Sequence, residues 1–128
     1  MSDYVIRSLK TLEELQAVET LQRLVWDDPK TVIYSHMLIS LARNGGSILG
    51  ALRGDQLIGF IISYLGLEAP ESERPAMANL KLVSQRMAVQ PEYRGMGVGY
   101  ELKLAQRNFA IGLGIRLITW TFDPLLSR

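Results

Sequence analysis

The fold of this chain is decided by LVSQRMAVQPEYRGMGVGYELKLAQRNFA, residues 82–110. Residues 82–89 are largely apolar and predict a strand, which Pro91 ends because proline cannot donate to a sheet. Residues 100–110 have the apolar spacing of a helix. Between them stand the glycines Gly95, Gly97 and Gly99. A strand, a glycine-rich turn and a helix start together form an anion site, because the first N–H groups of a helix lack intrahelical partners.

Phosphate is the anion that this turn favours, since Arg94 adds a guanidinium fork that can hold it at two points. A tight turn without a ligand is the alternative explanation of the glycines. A P-loop is excluded because no lysine followed by Ser or Thr comes after them. A nicotinamide-type dinucleotide site is a weaker alternative, because its G-x-G-x-x-G fingerprint lacks the third glycine. That position is Tyr100 if the fingerprint starts at Gly95, and Leu102 if it starts at Gly97.

The pattern Arg94-x-x-Gly97-x-Gly99, preceded by Ala-Val-Gln-Pro-Glu-Tyr at residues 88–93, resembles the acetyl-CoA signature [QR]-x-x-G-x-[GA] of the GNAT superfamily of N-acetyltransferases. The resemblance implies that acetyl-CoA is the cosubstrate. It also implies that main-chain groups of Met87, Ala88 and Val89 bind the pantetheine amides. The residues implied to bind the pyrophosphate through their N–H groups are Arg94, Gly95, Met96, Gly97, Val98 and Gly99.

Composition sets the class of protein. A length of 128 residues predicts one domain, residues 1–128, and a net charge of +1 gives no indication of a nucleic-acid surface. The absence of cysteine excludes disulfides, a cysteine nucleophile and thiolate metal sites, and we expect no metal. The start of the chain lacks a signal-peptide pattern, and the apolar stretch 57–65 is too short to span a membrane. We therefore expect a cytoplasmic protein that does not bind a membrane.

The hydrophobic spacing along the chain predicts the element order β-α-α-β-β-β-α-β. Thr11 and Glu14 form a capping box for the first helix, and Ser35 is expected to cap the second. The predicted strands are residues 4–9, 47–52, 57–65, 80–89 and 116–122. This is an α/β fold with a mixed, mostly antiparallel sheet flanked by helices, and it is similar to the first two-thirds of the GNAT fold, the acyl-CoA N-acyltransferase fold.

The chain also departs from that family. Relatives continue with another helix and two further strands, whereas this chain stops at Arg128, so the domain is expected to be incomplete at its C-terminus. The strand at 117–122 is then an uncovered sheet edge, which tends to pair with another chain. We expect a homodimer. A monomer whose edge is covered by the tail that begins at Pro124 is the alternative.

The resemblance implies an amine acceptor, either a small molecule or a peptide, that attacks the thioester directly. The general base is not identified. Many relatives carry Glu or His on the strand before the loop, where this chain has Gln85. Other candidates are weaker: the glutamates at 68, 71 and 73 suit a solvated loop, and His36 suits a surface or capping position at a helix start. Asp123 can equally orient an amine or cap the end of its strand. Two hypotheses remain, an N-acetyltransferase and a module that binds acyl-CoA without turning it over.

Two aromatic residues near this site also have two interpretations each. The ring of Tyr93 can lie beside the CoA or simply cover the glycine loop. Trp120 suits packing at the sheet edge better than a platform for the substrate.

Overall fold

The structure is a computed structural model that describes residues 3–26, 28–68 and 75–120. Its described helices are α1 (Leu12–Val25), α2 (Ser35–Arg43) and α3 (Val98–Gly112). Its described strands are β1 (Val5–Ser8), β2 (Ser47–Arg53), β3 (Gln56–Leu67), β4 (Leu80–Val89) and β5 (Ile118–Trp120). Three short 3-10 turns lie at Pro29–Thr31, Ala76–Asn79 and Pro91–Tyr93.

The strands form one sheet in the order β1-β2-β3-β4-β5. Neighbours from β1 to β4 are antiparallel, whereas β5 runs parallel to β4. The predicted element order and the mixed, mostly antiparallel sheet are thus confirmed. The last strand was expected over residues 116–122; the structure pairs 118–120, and residues 121 and 122 lie outside its described part.

The capping box that opens α1 is confirmed. The Thr11 hydroxyl accepts from the Glu14 N–H at 3.2 Å, while the Glu14 carboxylate accepts from the N–H groups of Thr11 at 3.1 Å and Lys10 at 2.9 Å. These two donors, with the neighbouring Arg7, lower the pKa of Glu14 to about 2 although partial burial opposes the shift.

The predicted cap of α2 is wrong by one residue. Tyr34 is the N-cap, its side chain makes no capping hydrogen bond, and Ser35 is already the first residue of the helix. The reason lies in α1: the Ser35 N–H donates to Glu19 Oε1 at 2.7 Å. A carboxylate from the neighbouring helix therefore accepts a hydrogen bond from the start of α2, as the side-chain oxygen of an N-cap residue usually does.

The sheet is covered on both faces, which explains why β3 is a nearly continuous apolar run rather than an alternating one. Helices α1 and α2 cover one face, and α3 covers the other. The first face buries, among others, Leu15, Val18, Leu38, Phe60 and Ile62. The second face buries Leu49, Ala51, Ile58, Ile61, Val98 and Leu102.

One irregularity in β4 decides which side chains face which layer. Ile62 of β3 lies opposite Arg86, but the next residue, Ser63, lies opposite Ser84, so Gln85 is an extra residue in a β-bulge. On the α3 side, Ser84 Oγ accepts from Gln106 Nε2 at 3.0 Å. Because the bulge shifts the alternation of side chains, Arg86 faces α1 instead.

Candidate functional site

The site begins where β4 loses its second neighbour. The parallel pairing with β5 joins Leu82 to Ile118 and ends, within the described residues, at Ser84 and Trp120. Beyond the bulge, β4 still pairs with β3 as far as Val89. Residues 85–89 therefore have one side without a strand in the part of the chain that the structure describes.

The hydrogen-bond pattern shows which main-chain groups face that open side. The Gln90 N–H donates to the Ile58 carbonyl at 2.8 Å. Bonded and non-bonded pairs alternate along an antiparallel ladder. Ala88 therefore bonds to β3, whereas the N–H and C=O groups of Met87 and Val89 point away from it. Of the three residues expected to bind pantetheine, Met87 and Val89 have the available groups.

The glycine loop follows the 3-10 turn at Pro91–Tyr93. Gly95 and Gly97 have φ angles of 82° and 84°, the left-handed conformation that residues with a side chain rarely adopt. A Cβ atom on either residue would meet no atom within 4 Å. The two glycines are therefore needed for backbone conformation, and the space beside each is open.

Gly97 is the N-cap of α3, and its carbonyl accepts the first intrahelical bond, from Glu101 N–H at 3.0 Å. The N–H groups of residues 97–100 precede that bond, and none has a hydrogen-bond partner among the described residues. They carry the positive end of the helix dipole. This arrangement is suited to bind an anion.

Gly99 is needed for a different reason, its closeness to β4. A Cβ atom there would lie 3.3 Å from Met87 Cε and 3.9 Å from Val89 Cγ2. Because glycine has no Cβ, the first turn of α3 lies directly against the strand. The structure thus brings the helix N-terminus beside the strand segment whose main-chain groups face outward.

Two side chains next to the loop hold it in place. The exposed Arg94 donates from Nε to the Val89 carbonyl at 3.3 Å, as expected if that carbonyl faces the open side. The Tyr93 hydroxyl accepts from Arg53 Nη1 at 3.3 Å, and the Arg53 guanidinium lies 5.8 Å from the Tyr93 ring centroid. Tyr93 thereby joins the loop to the β2–β3 hairpin.

Among the residues that the structure describes, the candidate proton acceptors are not assembled into a catalytic pair. Gln85 is the half-buried bulge residue, and Glu68 bonds to Lys81 Nζ at 2.9 Å. His36 is exposed and stacks on Tyr34 with ring centroids 6.0 Å apart. The remaining candidates, residues 71, 73 and 123, lie outside the described residues.

Trp120 lies on β5, the edge strand, and is 54% exposed. The Nζ atom of Lys103 on α3 lies 5.1 Å from the centroid of the Trp120 ring. The contact joins α3 to the sheet edge, which agrees with edge packing for Trp120.

Arg86 has surroundings that its sequence pattern does not indicate. Its Nη1 donates to Gln22 Oε1 at 3.2 Å and to the Thr31 carbonyl, and its guanidinium carbon lies 5.3 Å from the Trp26 ring centroid. Burial lowers the pKa of this guanidinium below its usual value, and the group stays charged at neutral pH. The signal available in the sequence is an arginine in a strand segment that ends in the apolar residues Met87, Ala88 and Val89.

Neither a membrane helix nor a metal cluster is found in the described structure. None of the helices within residues 3–26, 28–68 and 75–120 has the length and apolar character needed to cross a bilayer. In the same residues, no three His, Asp or Glu side chains come together as metal ligands.

Comparison with solved structures identifies the fold. An aminoglycoside acetyltransferase from an uncultured soil metagenomic sample, in complex with trehalose, superimposes with a TM-score of 0.78 at 21% identity, over 98% of this chain and 81% of that chain. AAC(6')-Iy in complex with the bisubstrate analogue CoA-S-monomethyl-acetylneamine gives 0.73 at 17% identity, over 98% and 84%. Ribosomal-protein-alanine N-acetyltransferase from Brucella melitensis biovar Abortus 2308 gives 0.69 at 17% identity, over 97% and 83%.

Comparison with protein sequences identifies the family. None of the curated proteins matches this sequence. The profile of the Acetyltransferase (GNAT) family, in contrast, matches residues 9–125. That span contains the bulged strand, the glycine loop and the helix that make up the site. The chain therefore belongs to the GNAT family of acetyltransferases.

Proposed function

We propose that this protein binds acetyl-CoA and transfers its acetyl group to an amine by direct attack. One observation carries the proposal: the unpartnered N–H groups at the start of α3 lie beside the outward-facing main chain of Met87 and Val89. The first set fits a pyrophosphate, and the second fits the amides of an extended pantetheine arm.

The expected contacts follow from this placement. The pyrophosphate lies against the N–H groups of residues 95–99 and Tyr100. Arg94 turns toward it and releases the Val89 carbonyl, to which its Nε donates in the structure. The pantetheine arm runs along β4 as an added strand, exchanging hydrogen bonds with Met87 and Val89. The N–H of Val89 is also placed to polarise the thioester carbonyl.

The reaction requires no covalent enzyme intermediate. The amine nitrogen attacks the thioester carbonyl carbon, the C–S bond breaks, and CoA leaves as a thiolate that takes up a proton. The attacking nitrogen gives its own proton to a base or to water. The enzyme contributes position and carbonyl polarisation, which account for a large share of acyl-transfer catalysis.

The solved relatives support an amine as the acceptor. Of the structures compared above, one is an aminoglycoside acetyltransferase and another is a ribosomal-protein-alanine N-acetyltransferase. At 17–21% identity, these relatives do not specify which amine this protein uses.

A module that binds acyl-CoA without turnover is the second candidate. The observation that favours it is Gln85, an amide at the bulge. An amide does not accept a proton at neutral pH, so this position supplies no general base. Such a protein binds acetyl-CoA with the same contacts and leaves the thioester intact.

Release of CoA thiol separates the two candidates. The protein is incubated with acetyl-CoA and a panel of amines, and free thiol is followed with a chromogenic disulfide. Acetyl transfer predicts amine-dependent thiol release that Gly97→Glu abolishes, because a carboxylate then occupies the anion site. Binding of acetyl-CoA without thiol release for any amine would favour the second candidate.

We further propose that the protein forms a homodimer through β5, the edge strand of the described sheet. An open edge offers unpaired main-chain groups to a second copy. Light scattering on the purified protein tests this: twice the chain mass of 14.4 kDa is expected, and a monomer at high concentration would contradict it.

A further inference from the structure

Arg86 carries a half-buried positive charge that the rest of the site does not use. It lies on β4, directly before the outward-facing Met87, with its side chain on the face covered by α1. No carboxylate among the described residues forms an ion pair with it. A half-buried charge without a partner of opposite sign among the described residues is unfavourable, so its presence needs an explanation.

The guanidinium is fixed in position. Nη1 is held by Gln22 Oε1 at 3.2 Å and by the Thr31 carbonyl. Gln22 is itself fully buried and clamped to Ile33, accepting from its N–H and donating to its carbonyl, each at 2.8 Å. Trp26 lies against the same group, 5.3 Å from ring centroid to guanidinium carbon. An arginine held this way is ready to bind a ligand with little loss of conformational freedom.

The donors that remain on Arg86 are not used by described residues. Nε is buried beneath protein atoms and makes no hydrogen bond with the described residues, so a ligand does not reach it. Nη1 is taken by Gln22 and Thr31, whereas Nη2 makes no hydrogen bond within the described part of the chain. Nη2 is therefore the donor that remains for an anion, in a charge-assisted hydrogen bond.

Arg86 is also at a suitable distance from the expected reaction centre. It precedes Val89 by three residues, which is about 10 Å along a strand. The bulge that turns Arg86 toward α1 separates it from the side chains of Met87 and Val89, which pack on the α3 side. Arg86 therefore approaches the reaction from the side opposite to α3, where it does not compete with the anion site of the glycine loop.

From these observations we infer that the acceptor is an amine that also carries a carboxylate, such as an amino acid or a short peptide, and that Arg86 binds that carboxylate. The inference rests on the proposed acetyl transfer and specifies its substrate class. A polycationic amine is disfavoured by the same charge, because it would bring ammonium groups toward an uncompensated guanidinium.

The test compares amines that carry a carboxylate with the corresponding carboxamides, for example β-alanine with β-alaninamide and glycylglycine with glycylglycinamide. Values of kcat/KM are measured for the wild type and for Arg86→Gln. For each protein, kcat/KM for the acid is divided by kcat/KM for its amide. Because the acid and the amide differ in amine basicity by the same amount in both measurements, this difference cancels when the two ratios are compared. We expect the ratio to fall about ten- to one-hundredfold in Arg86→Gln, mainly through KM. Arg86→Lys, which keeps the charge but not the fork, is expected to lie between.

A purely structural role of Arg86 gives a different result, since it lowers activity toward acid and amide equally. Arg23→Gln is the matched control, because it makes the same change at an exposed, salt-bridged arginine of α1; it is expected to leave the ratio unchanged. An unchanged ratio in Arg86→Gln, or better turnover of spermidine than of any acid, would overturn the inference while acetyl transfer itself stands.

A failure of the proposed acetyl transfer can be distinguished from a failure of carboxylate binding by Arg86. If no amine in the panel releases thiol, acetyl transfer is refuted. Thermal shifts with the same acids in the presence of CoA then decide the role of Arg86. Shifts seen with acids and lost in Arg86→Gln support carboxylate binding, and the absence of any shift in the wild type refutes it.

Discussion

Replacement of Gly97 by alanine separates the conformational role of the loop from its role in binding. Gly97 has a φ angle of 84°, which costs a residue with a side chain about 1–2 kcal/mol. Reduced freedom of the unfolded chain offsets about 0.4–1 kcal/mol of that. For a chain of 128 residues, a net loss near 1 kcal/mol lowers the Tm by about 4 °C.

The effect on CoA binding is expected to be larger. The new Cβ meets no protein atom within 4 Å, so it enters the open space in which we place the pyrophosphate. Displacing the phosphate from one helix N–H removes a charge-assisted hydrogen bond worth about 1.5–3 kcal/mol. That corresponds to a roughly ten- to one-hundredfold rise in Kd, which titration calorimetry with CoA measures.

Gly114→Ala is the matched control. Gly114 has a φ angle of 77° and equally open space for a Cβ, but it lies after the C-terminal end of α3. Its substitution is expected to lower the Tm by a similar amount and to leave the Kd for CoA unchanged. The reasoning is refuted if Gly97→Ala binds CoA as tightly as the wild type, or if both variants lose affinity equally.

The remaining predictions concern α1. Glu14→Gln removes a carboxylate whose pKa is about 2 in the folded protein against an ordinary 4.5; its stabilisation is complete above about pH 4.5 and is lost as the pH falls toward 2. Urea unfolding should therefore show that the variant is less stable than the wild type at pH 7 and loses less stability on acidification. Parallel dependences of the unfolding free energy on pH in the two proteins would contradict this. Gln22→Leu leaves both main-chain groups of Ile33 without their partner and should cost about 2 kcal/mol in urea unfolding. Gln16→Leu, on the exposed side of the same helix, should cost under about 0.5 kcal/mol, and equal losses would contradict the buried clamp.

Local signals in the sequence predicted most of the fold. The strand at 80–89 and the capping box of α1 depend on neighbouring residues alone, and both are confirmed. The start of α3 was placed at Tyr100 but lies at Val98, because the left-handed Gly97 already begins the helical bonding. The cap of α2 was missed because its partner, Glu19, comes from another helix.

The orientation of Arg86 could not be predicted, because it depends on the pairing between strands. Without the bulge, strict alternation places Arg86 on the same face as Ser84, against α3. Only the observed register shows that Gln85 is the extra residue and that Arg86 turns to meet Gln22 of α1. A one-residue irregularity leaves no mark in composition or hydrophobic period, so the sequence predicted the glycine loop but not the orientation of the arginine beside it.

The central claim, that the bulged strand and the glycine loop form an acetyl-CoA site, is tested most directly by calorimetric titration of the purified protein with acetyl-CoA. The account predicts micromolar binding with one site per chain. The absence of both heat of binding and thermal stabilisation at millimolar acetyl-CoA would contradict it.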